Sequence, residues 1–537
     1  MTHPIQPGWR QTQRDWLLPI LSGWLMILSF SPWEPFQGSH QFSFVAWFAW
    51  VPWCSLLLPQ NPDACCRNPF RSGYLAGLFF WLGTIYWIHH TTIPGMLMLA
   101  AFLSLYFGLW GLIMARFHLR WQKISGGQHI LLATLGAASW VALEWGKGWI
   151  LGGFPWNDAG TTQYRNLALI QIAQWTGKFW ISFLVVFFNL SLWLTWRRLR
   201  HQNFSLRSWR YEFSLAVLLV TGTLVAGMRM LLAAPREQSG GIPLKVALIQ
   251  PNIPQDIKYE VYSRAEQESC LEQLTMNAAL LKPDLIMWPE TALVTGPNLD
   301  PRRGLWMLDL VKRVQTPILF GAMDADAGGD ADSKPQQNYY NTALLATRDL
   351  ELAPGYHKMH LVPFGEYVPF ERWMPWLRWL TPIEGSFTPG EVPVWFTIKG
   401  IKIGPLICFE DTFPGLSRTM VKGGADLLVN LTNDAWFLDS PGASLHAANA
   451  VLRAVENRRP LIRCTNSGYT CIIGSRGEIH CVEDPATRGF RLASVNAPAG
   501  QPLTFYTRFG DWFAFLCAAT AGLGLFFAGS AAGPARN

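Results

Sequence analysis

GPLICFED, residues 404–411, sets one cysteine between an apolar run and two acids. Leu406 and Ile407 look like the end of a buried strand, whereas Glu410 and Asp411 do not. A strand ending in reactive side chains is what an α/β sheet produces, because loops at its strand ends carry function into a crevice. Taken alone, Cys408 reads first as a core residue, since free cysteine is among the most buried residue types. The rest of the chain has to decide.

On either side of this stretch, short β-branched runs alternate with helical patterns. The runs are KVALIQ (245–250), PDLIMWPE (283–290), PILFGAM (317–323), IKIGPLICFE (401–410) and ADLLVNLTND (425–434), with helical spacing at 261–281 and 302–315. That alternation predicts an α/β sheet covered on its faces. No repeat interrupts it, and the one low-complexity segment is an Asp/Gly/Ala loop at 324–333. Two more strand ends carry chemistry: Glu290 closes PDLIMWPE, and Lys358 lies in YHKMHLVPFGEYVP (356–369). Singly, Glu290 reads as a helix-capping acid and Lys358 as a solvated loop charge. Together with Cys408 they form a candidate acyl-transfer site. The thiolate is a nucleophile that needs a neighbouring cation or base. A carboxylate can take its proton, and an ammonium can stabilise an oxyanion. The three lie 68 and 50 residues apart, so only the fold can bring them together.

Before residue 240 the composition is of another kind. Of 28 Trp in the chain, 20 fall there, and half of all residues are hydrophobic while 15% are charged. Trp favours membrane–water interfaces. Eight stretches are apolar over a length that spans roughly 30 Å of hydrocarbon: 15–31, 41–58, 73–93, 95–115, 129–146, 177–196, 213–234 and 511–530. No small-residue cleavage site follows the first, so it is expected to be a retained span. With the N-terminus inside, the inside segments hold Arg10, Arg14, Arg67, Arg71, Arg116, Arg120, Lys123, Arg197, Arg198, Arg200, Arg207 and Arg210. The outside ones hold only Lys147, Arg165 and Lys178. That asymmetry orients the bundle. It also explains the net charge of +7 better than nucleic acid does, since the cations are spread through short loops. The expected organisation is a bundle of seven spans at 1–236, an extracytoplasmic α/β domain at 237–505, and a last span with a cytoplasmic tail at 506–537. The α/β segment holds Cys270, Cys408, Cys464, Cys471 and Cys481, an odd set that leaves at least one thiol unpaired within the chain. No Cys/His spacing suggests a metal site, and no cofactor is expected.

In this order, WPE (288–290), HLVPFGEYVP (360–369), ICFED (407–411), NLTNDAWF (430–437) and RAVENRRPLIRCTNSG (453–468) resemble the nitrilase superfamily. With the flanking spans and EWGKGWILGGFPW (144–156), nearly the whole chain is similar to the apolipoprotein N-acyltransferase family of the bacterial inner membrane. The resemblance implies a four-layer αββα sandwich, Glu290 as general base, Lys358 as transition-state stabiliser and Cys408 as nucleophile. It further implies Glu366 as an additional acid at the site, and Phe409 with Glu410 as an aromatic–acid pair in the substrate pocket. Phe409 stands where Tyr is common, Tyr259 where a substrate-contacting Trp is frequent, and Leu438 where Gly is usual. The implied reaction takes an acyl chain from a phospholipid, with phosphatidylethanolamine the expected donor, and passes it to the α-amine of a diacylglyceryl-cysteine lipoprotein.

Four features stand outside that pattern. FERWMPWLRWL (370–380) is expected either as a lid dipping into the outer leaflet, with Trp376 against lipid, or as packing under a long loop. Glu144 with Lys147 is expected as an interfacial pair, His89 and His90 as interfacial residues, and His446 as a residue lining the crevice. Rival functions are a membrane-anchored amidase using water, an acyltransferase with another amine acceptor, and a transporter with a structural insert. A single anchoring helix would serve the amidase, and a transporter would tolerate loss of Cys408.

Overall fold

The computed structural model describes residues 7–30, 42–59, 66–120, 126–200, 211–233, 241–326, 338–380, 385–498 and 500–529. Lys123, Arg207 and Arg210 of the charge comparison lie outside the described residues, as do the boundary near residue 236, most of the loop 324–333 and the Cys481 side chain.

Among the described residues, four helices are long and apolar enough to cross a membrane: Ile93–Arg120, Phe179–Leu199, Tyr211–Ala233 and Trp512–Gly529. Three further helices, Pro7–Ser29, Pro69–Thr84 and Gly126–Lys147, fall on the expected spans at 15–31, 73–93 and 129–146. The second of these stops at Thr84, where a separate 3₁₀ turn, Tyr86–His90, begins. Its 16 residues make about 24 Å of helix. The expected span at 41–58 is broken into a 3₁₀ turn, Ser43–Trp47, and a short helix, Val51–Leu57. Pro52 explains the break, because a residue without an N–H fits the first turn of a helix and not its interior.

Small residues let two of these helices touch. A Cβ on Gly73 would lie 2.3 Å from the Phe107 carbonyl oxygen, and one on Gly111 2.3 Å from that of Pro69. Pro69–Thr84 and Ile93–Arg120 therefore meet backbone to backbone, the usual way membrane helices associate where no hydrophobic force drives them together.

The α/β part is built on two six-stranded sheets. The first has the order β12-β1-β2-β3-β4-β5, with β1 Ile242–Gln250, β2 Leu285–Met287, β3 Ile318–Asp326, β4 Asn338–Ala346, β5 Tyr356–His357 and β12 Gly489–Ala497. The second has the order β11-β10-β9-β8-β7-β6, with β6 Phe396–Ile398, β7 Ile401–Ile407, β8 Leu427–Thr432, β9 Leu461–Thr465, β10 Thr470–Ile473 and β11 Ile479–Glu483. At the centre of each sheet three strands run parallel, β1-β2-β3 and β7-β8-β9, with antiparallel strands outside them. Alternation along β1 shows how the layers share one strand. Leu244, Val246 and Leu248 join the core facing the second sheet. Ala247 and Ile249 face the other way, into a core with Leu271 of helix Arg264–Ala279 and Met307, Leu310 and Val311 of helix Pro301–Val314.

The bundle is fastened to this unit by a buried loop. Lys147 Nζ bonds the Trp156 carbonyl at 2.6 Å and pairs with Asp158 at 2.8 Å, and Lys178 pairs with the same Asp158. Glu144 Oε1 accepts from Ala159 N and from Trp140 Nε1, both at 2.7 Å. Glu144 and Lys147 thus lie buried, each bonded to the 156–159 loop. Lys178 N in turn donates to Glu456 Oε1 at 3.0 Å, on the helix Gly442–Asn457.

Candidate active site

Glu290 and Cys408 each follow a central strand, and Lys358 follows the edge strand β5. The chain passes from β2 through Trp288 and Pro289 to Glu290, and Thr291 follows at φ 48°. This turn lies flat on β3: a Cβ on Gly321 would sit 2.6 Å from the Pro289 carbonyl and 2.7 Å from Glu290 Cα. Lys358 follows β5, its N–H bonded to the Asn341 carbonyl at 2.8 Å. Cys408 follows β7 at φ 52°, in the left-handed region, and opens a 3₁₀ turn, Cys408–Thr412. A non-glycine residue held there is strained, and such strain gathers at functional sites.

The fold brings Glu290, Lys358 and Glu366 together. Lys358 Nζ lies 2.9 Å from Glu366 Oε1 and 3.4 Å from Glu290 Oε1. Asn341 Nδ2 donates to the same two oxygens, at 2.9 and 2.7 Å. The remaining oxygens are also fixed, Glu290 Oε2 by Asn433 N at 2.9 Å and Glu366 Oε2 by Val362 N at 2.8 Å. Burial by itself would lower the Lys358 pKa, but Glu366 and then Glu290 outweigh it and hold the ammonium well above the lysine range. Lys358 is therefore a fixed cation and no base. Burial raises the Cys408 thiol well above its ordinary value, Glu290 adds to the rise, and Lys358 opposes it. At rest the sulfur keeps its proton, and it becomes a nucleophile when a base removes that proton.

Two of the expected substrate contacts lie in the interior. Glu410 is fully buried, and four donors occupy it. Oε1 accepts from Met359 N and His360 N at 2.7 and 3.0 Å, and Oε2 from Ile407 N and Tyr356 Oη at 2.7 and 2.9 Å. Glu410 thereby ties the segment carrying Lys358 to the turn carrying Cys408. Phe409 is also turned inward, 9% exposed. It packs on Phe154 and Trp156 of the bundle loop, ring centroids 6.0 Å away in both cases, and on Phe413 at 5.1 Å. Tyr259 stays at the surface, 42% exposed as a residue. Its phenol group has a raised pKa, by burial of that end first and by the nearby Glu290 next. Trp376 is also exposed and lies in the 3₁₀ helix Pro375–Leu380. Leu438 takes φ 45°, ψ −147°, which explains why glycine is usual there.

Several residues at the site carry no motif signal of their own. Asn341, the shared donor of the two carboxylates, sits in the alternating strand β4. Lys258 is buried with Nζ 3.1 Å from the Glu290 carbonyl, and burial lowers its pKa to about 8 against the pull of Glu290 and Cys408. Trp156 could have been suspected from its place in the GFPW stretch, but only the fold lays it on Phe409. Glu410→Gln tests the tie between the two segments. An amide nitrogen would face donors where an acceptor is required, which costs about 1–3 kcal/mol. The melting temperature and kcat should fall together, and an unchanged pair of values would refute the assignment.

Two parallel-centred sheets, a strained cysteine after one strand, and a lysine clamped by two acids form an enzyme-like site of acid, ammonium and thiol, here joined to long apolar helices. The family model described as carbon-nitrogen hydrolase matches residues 245–502, and that described as apolipoprotein N-acyltransferase N-terminal domain matches residues 22–191. The apolipoprotein N-acyltransferase of Geobacter metallireducens is 36% identical over 95% of this chain and 94% of its own length. That of Caulobacter vibrioides is 30% identical over 85% and 86%. An amidase of the nitrilase superfamily from Nesterenkonia AN1 superposes with a TM-score of 0.36 at 18% identity, over 48% of this chain and 92% of its own. The chain belongs to the apolipoprotein N-acyltransferase family, and it is an N-acyltransferase.

Proposed function

We propose that Cys408 carries an acyl chain, as a thioester, from a phospholipid to the α-amine of a lipoprotein's diacylglyceryl-cysteine. The observation that carries this reading is the Lys358 ammonium held between Glu290 and Glu366 in the field of the Cys408 thiol. Glu290 takes the thiol proton as sulfur attacks the sn-1 ester carbonyl, and Lys358 stabilises the oxyanion that forms. Collapse breaks the ester bond, and the lysophospholipid leaves with the proton from Glu290. The acceptor amine then attacks the thioester and gives its proton to Glu290. Expulsion of the Cys408 thiolate returns that proton to sulfur. An α-amine has an ordinary pKa of about 7.7–8.0, so part of it is neutral and nucleophilic near pH 7.

Phosphatidylethanolamine is the proposed donor. The catalytic unit, 237–505, is proposed as a four-layer αββα sandwich in the periplasm, between a seven-span bundle at 1–236 and an eighth span at 506–537. Both termini are then cytoplasmic. The loop cations support that orientation, and helix cover on the first sheet supports the layers. Both substrates live in a bilayer, which accounts for helices on either side of the catalytic unit.

The segment 370–380 is proposed as a lid meeting the outer leaflet. Trp373 is 77% exposed and Trp379 90%, with Phe370, Met374 and Trp376 also exposed. Trp376→Asp should raise KM for phospholipid in vesicles about tenfold, the cost of setting a charge against lipid, and leave Cys408 alkylation unchanged. An unaltered KM would remove the lid.

Intact-mass analysis tests the whole reading. Protein mixed with phospholipid should gain one acyl group on Cys408 and lose it to a diacylated lipopeptide but not to buffer alone. Discharge by water at the same rate would instead make the chain an amidase-type hydrolase, and absence of any thioester under turnover would sink both.

A further inference from the structure

Behind Cys408 lies a buried cluster to which the reaction above gives no part. His446, 1% exposed on the helix Gly442–Asn457, has its Nδ1 2.8 Å from Asp434 Oδ1. Its Nε2 is 3.2 Å from the Cys408 carbonyl oxygen and 3.0 Å from Asp411 Oδ1. Arg463 on β9 pairs with Asp411 and, at 3.2 Å, with Asp434 Oδ2. Trp156 and Phe437 cover the ring, centroids 5.5 and 5.9 Å away. The nearest partner on each side of the imidazole is an oxygen that can only accept, so each ring nitrogen needs a hydrogen. Arg463 Nη2 is farther from Nδ1, at 3.4 Å, than Asp434 is.

We propose that His446 is a positioning residue, an imidazolium that pins the Cys408 carbonyl and neutralises the two carboxylates behind the nucleophile. This rests on Cys408 as the nucleophile. Two consequences follow from the geometry. The Cys408 carbonyl accepts from His446 Nε2 and from Asn430 Nδ2, the latter at 2.9 Å. These donors hold the left-handed turn at Cys408. The charges also balance, with Asp411 and Asp434 against Arg463 and His446. Removing the imidazolium leaves one negative charge behind the thiol, and Asp434 already raises the Cys408 pKa. Burial by itself would favour the neutral ring, but Asp411, opposed by Arg463 and joined by Asp434, brings the His446 pKa to about 9. The ring therefore keeps its charge at neutral pH and cannot serve as the general base.

The other charges in the field of Cys408 are Glu290, Lys358 and Lys258, and none of them changes in the test. Alkylation of Cys408 by iodoacetamide, followed by intact mass across a pH series in full-length protein, reads the thiol directly and does not depend on acyl transfer. In His446→Gln the midpoint should move up by about one pH unit, and kcat should fall about tenfold with KM within twofold. Adding Asp434→Asn restores neutrality and should return the midpoint to that of the wild type, a rescue that a purely structural role would not give. An unmoved midpoint in His446→Gln would overturn the proposal, as would a double variant no closer to wild type than the single one. If His446→Gln alone does not fold, the neutral pair carries the test, and a midpoint displaced from wild type refutes it. Alkylation that behaves as expected without any acyl-enzyme would leave this proposal standing and remove the thioester reading instead.

Discussion

Cys408→Ala is expected to abolish acyl transfer, by a factor on the order of 10⁴ or more, as removal of a covalent nucleophile does. No other described group can replace the sulfur in that position. Glu290, held by Asn341, Lys358 and Asn433, is placed as the base, and Lys358 is held protonated. Alanine keeps the Cβ and the left-handed backbone, so Asn430 and His446 can still bond the carbonyl. Stability should change by no more than about 1 kcal/mol. The check is a pair of measurements on one preparation: no acyl adduct by intact mass, and a melting temperature close to that of the wild type. Turnover persisting at more than about one part in a thousand would mean that Cys408 is a core residue after all.

Lys358→Met is expected to damage both chemistry and fold. The chemical loss should be about 10²–10³-fold in kcat, the usual effect of removing an oxyanion-stabilising group. The folding loss has a separate cause. Lys358 is the cation between two buried carboxylates, and removing one partner of a buried pair costs about 3–5 kcal/mol because the charge left behind is uncompensated. The sign of the pH dependence follows. In the variant, Glu290 and Glu366 repel across the Asn341 amide, protonation of one relieves them, and the folded state gains affinity for a proton. Relative to wild type, the variant should regain stability as pH falls from 8 towards about 5, measured by thermal unfolding at each pH. A second change, Glu366→Gln, removes one of the opposed charges. It should recover most of the lost stability and none of the lost activity. Recovery of both would show that Lys358 only holds the fold.

The two outcomes depend on unequal amounts of sequence information. Glu290, Lys358 and Cys408 stood out as candidates in the sequence because each follows a strand-like run and each has a side chain with a defined acid–base or nucleophilic use. An α/β sheet was legible through the alternation of short apolar runs with helical spacing, whereas the pairing of two sheets was implied only by the family resemblance. The inward packing of Glu410 and Phe409 was not legible, because residues next to a nucleophile look like pocket residues when the turn is unknown. Asn341 and Lys258 gave no signal, since an isolated Asn in a strand or Lys in a loop has many ordinary uses. In the bundle, hydropathy found the apolar stretches but not where helices break, because apolarity does not register that Pro52 lacks a backbone donor.

By itself, then, the chain's order of residues determined an apolar helical part, an α/β part, and three strand ends bearing an acid, an ammonium and a thiol. Those properties are local: they follow from side-chain chemistry and from periodicity along one segment. Which acid meets the lysine, which acid is consumed in holding the backbone, and which histidine stands behind the sulfur were decided by tertiary structure alone. The physical reason lies in the turn at Cys408. Alternation along a strand would send Cys408 and Glu410 to the same face. The left-handed residue ends that alternation, leaving the sulfur at the site and turning Glu410 into the core to meet four donors from two segments.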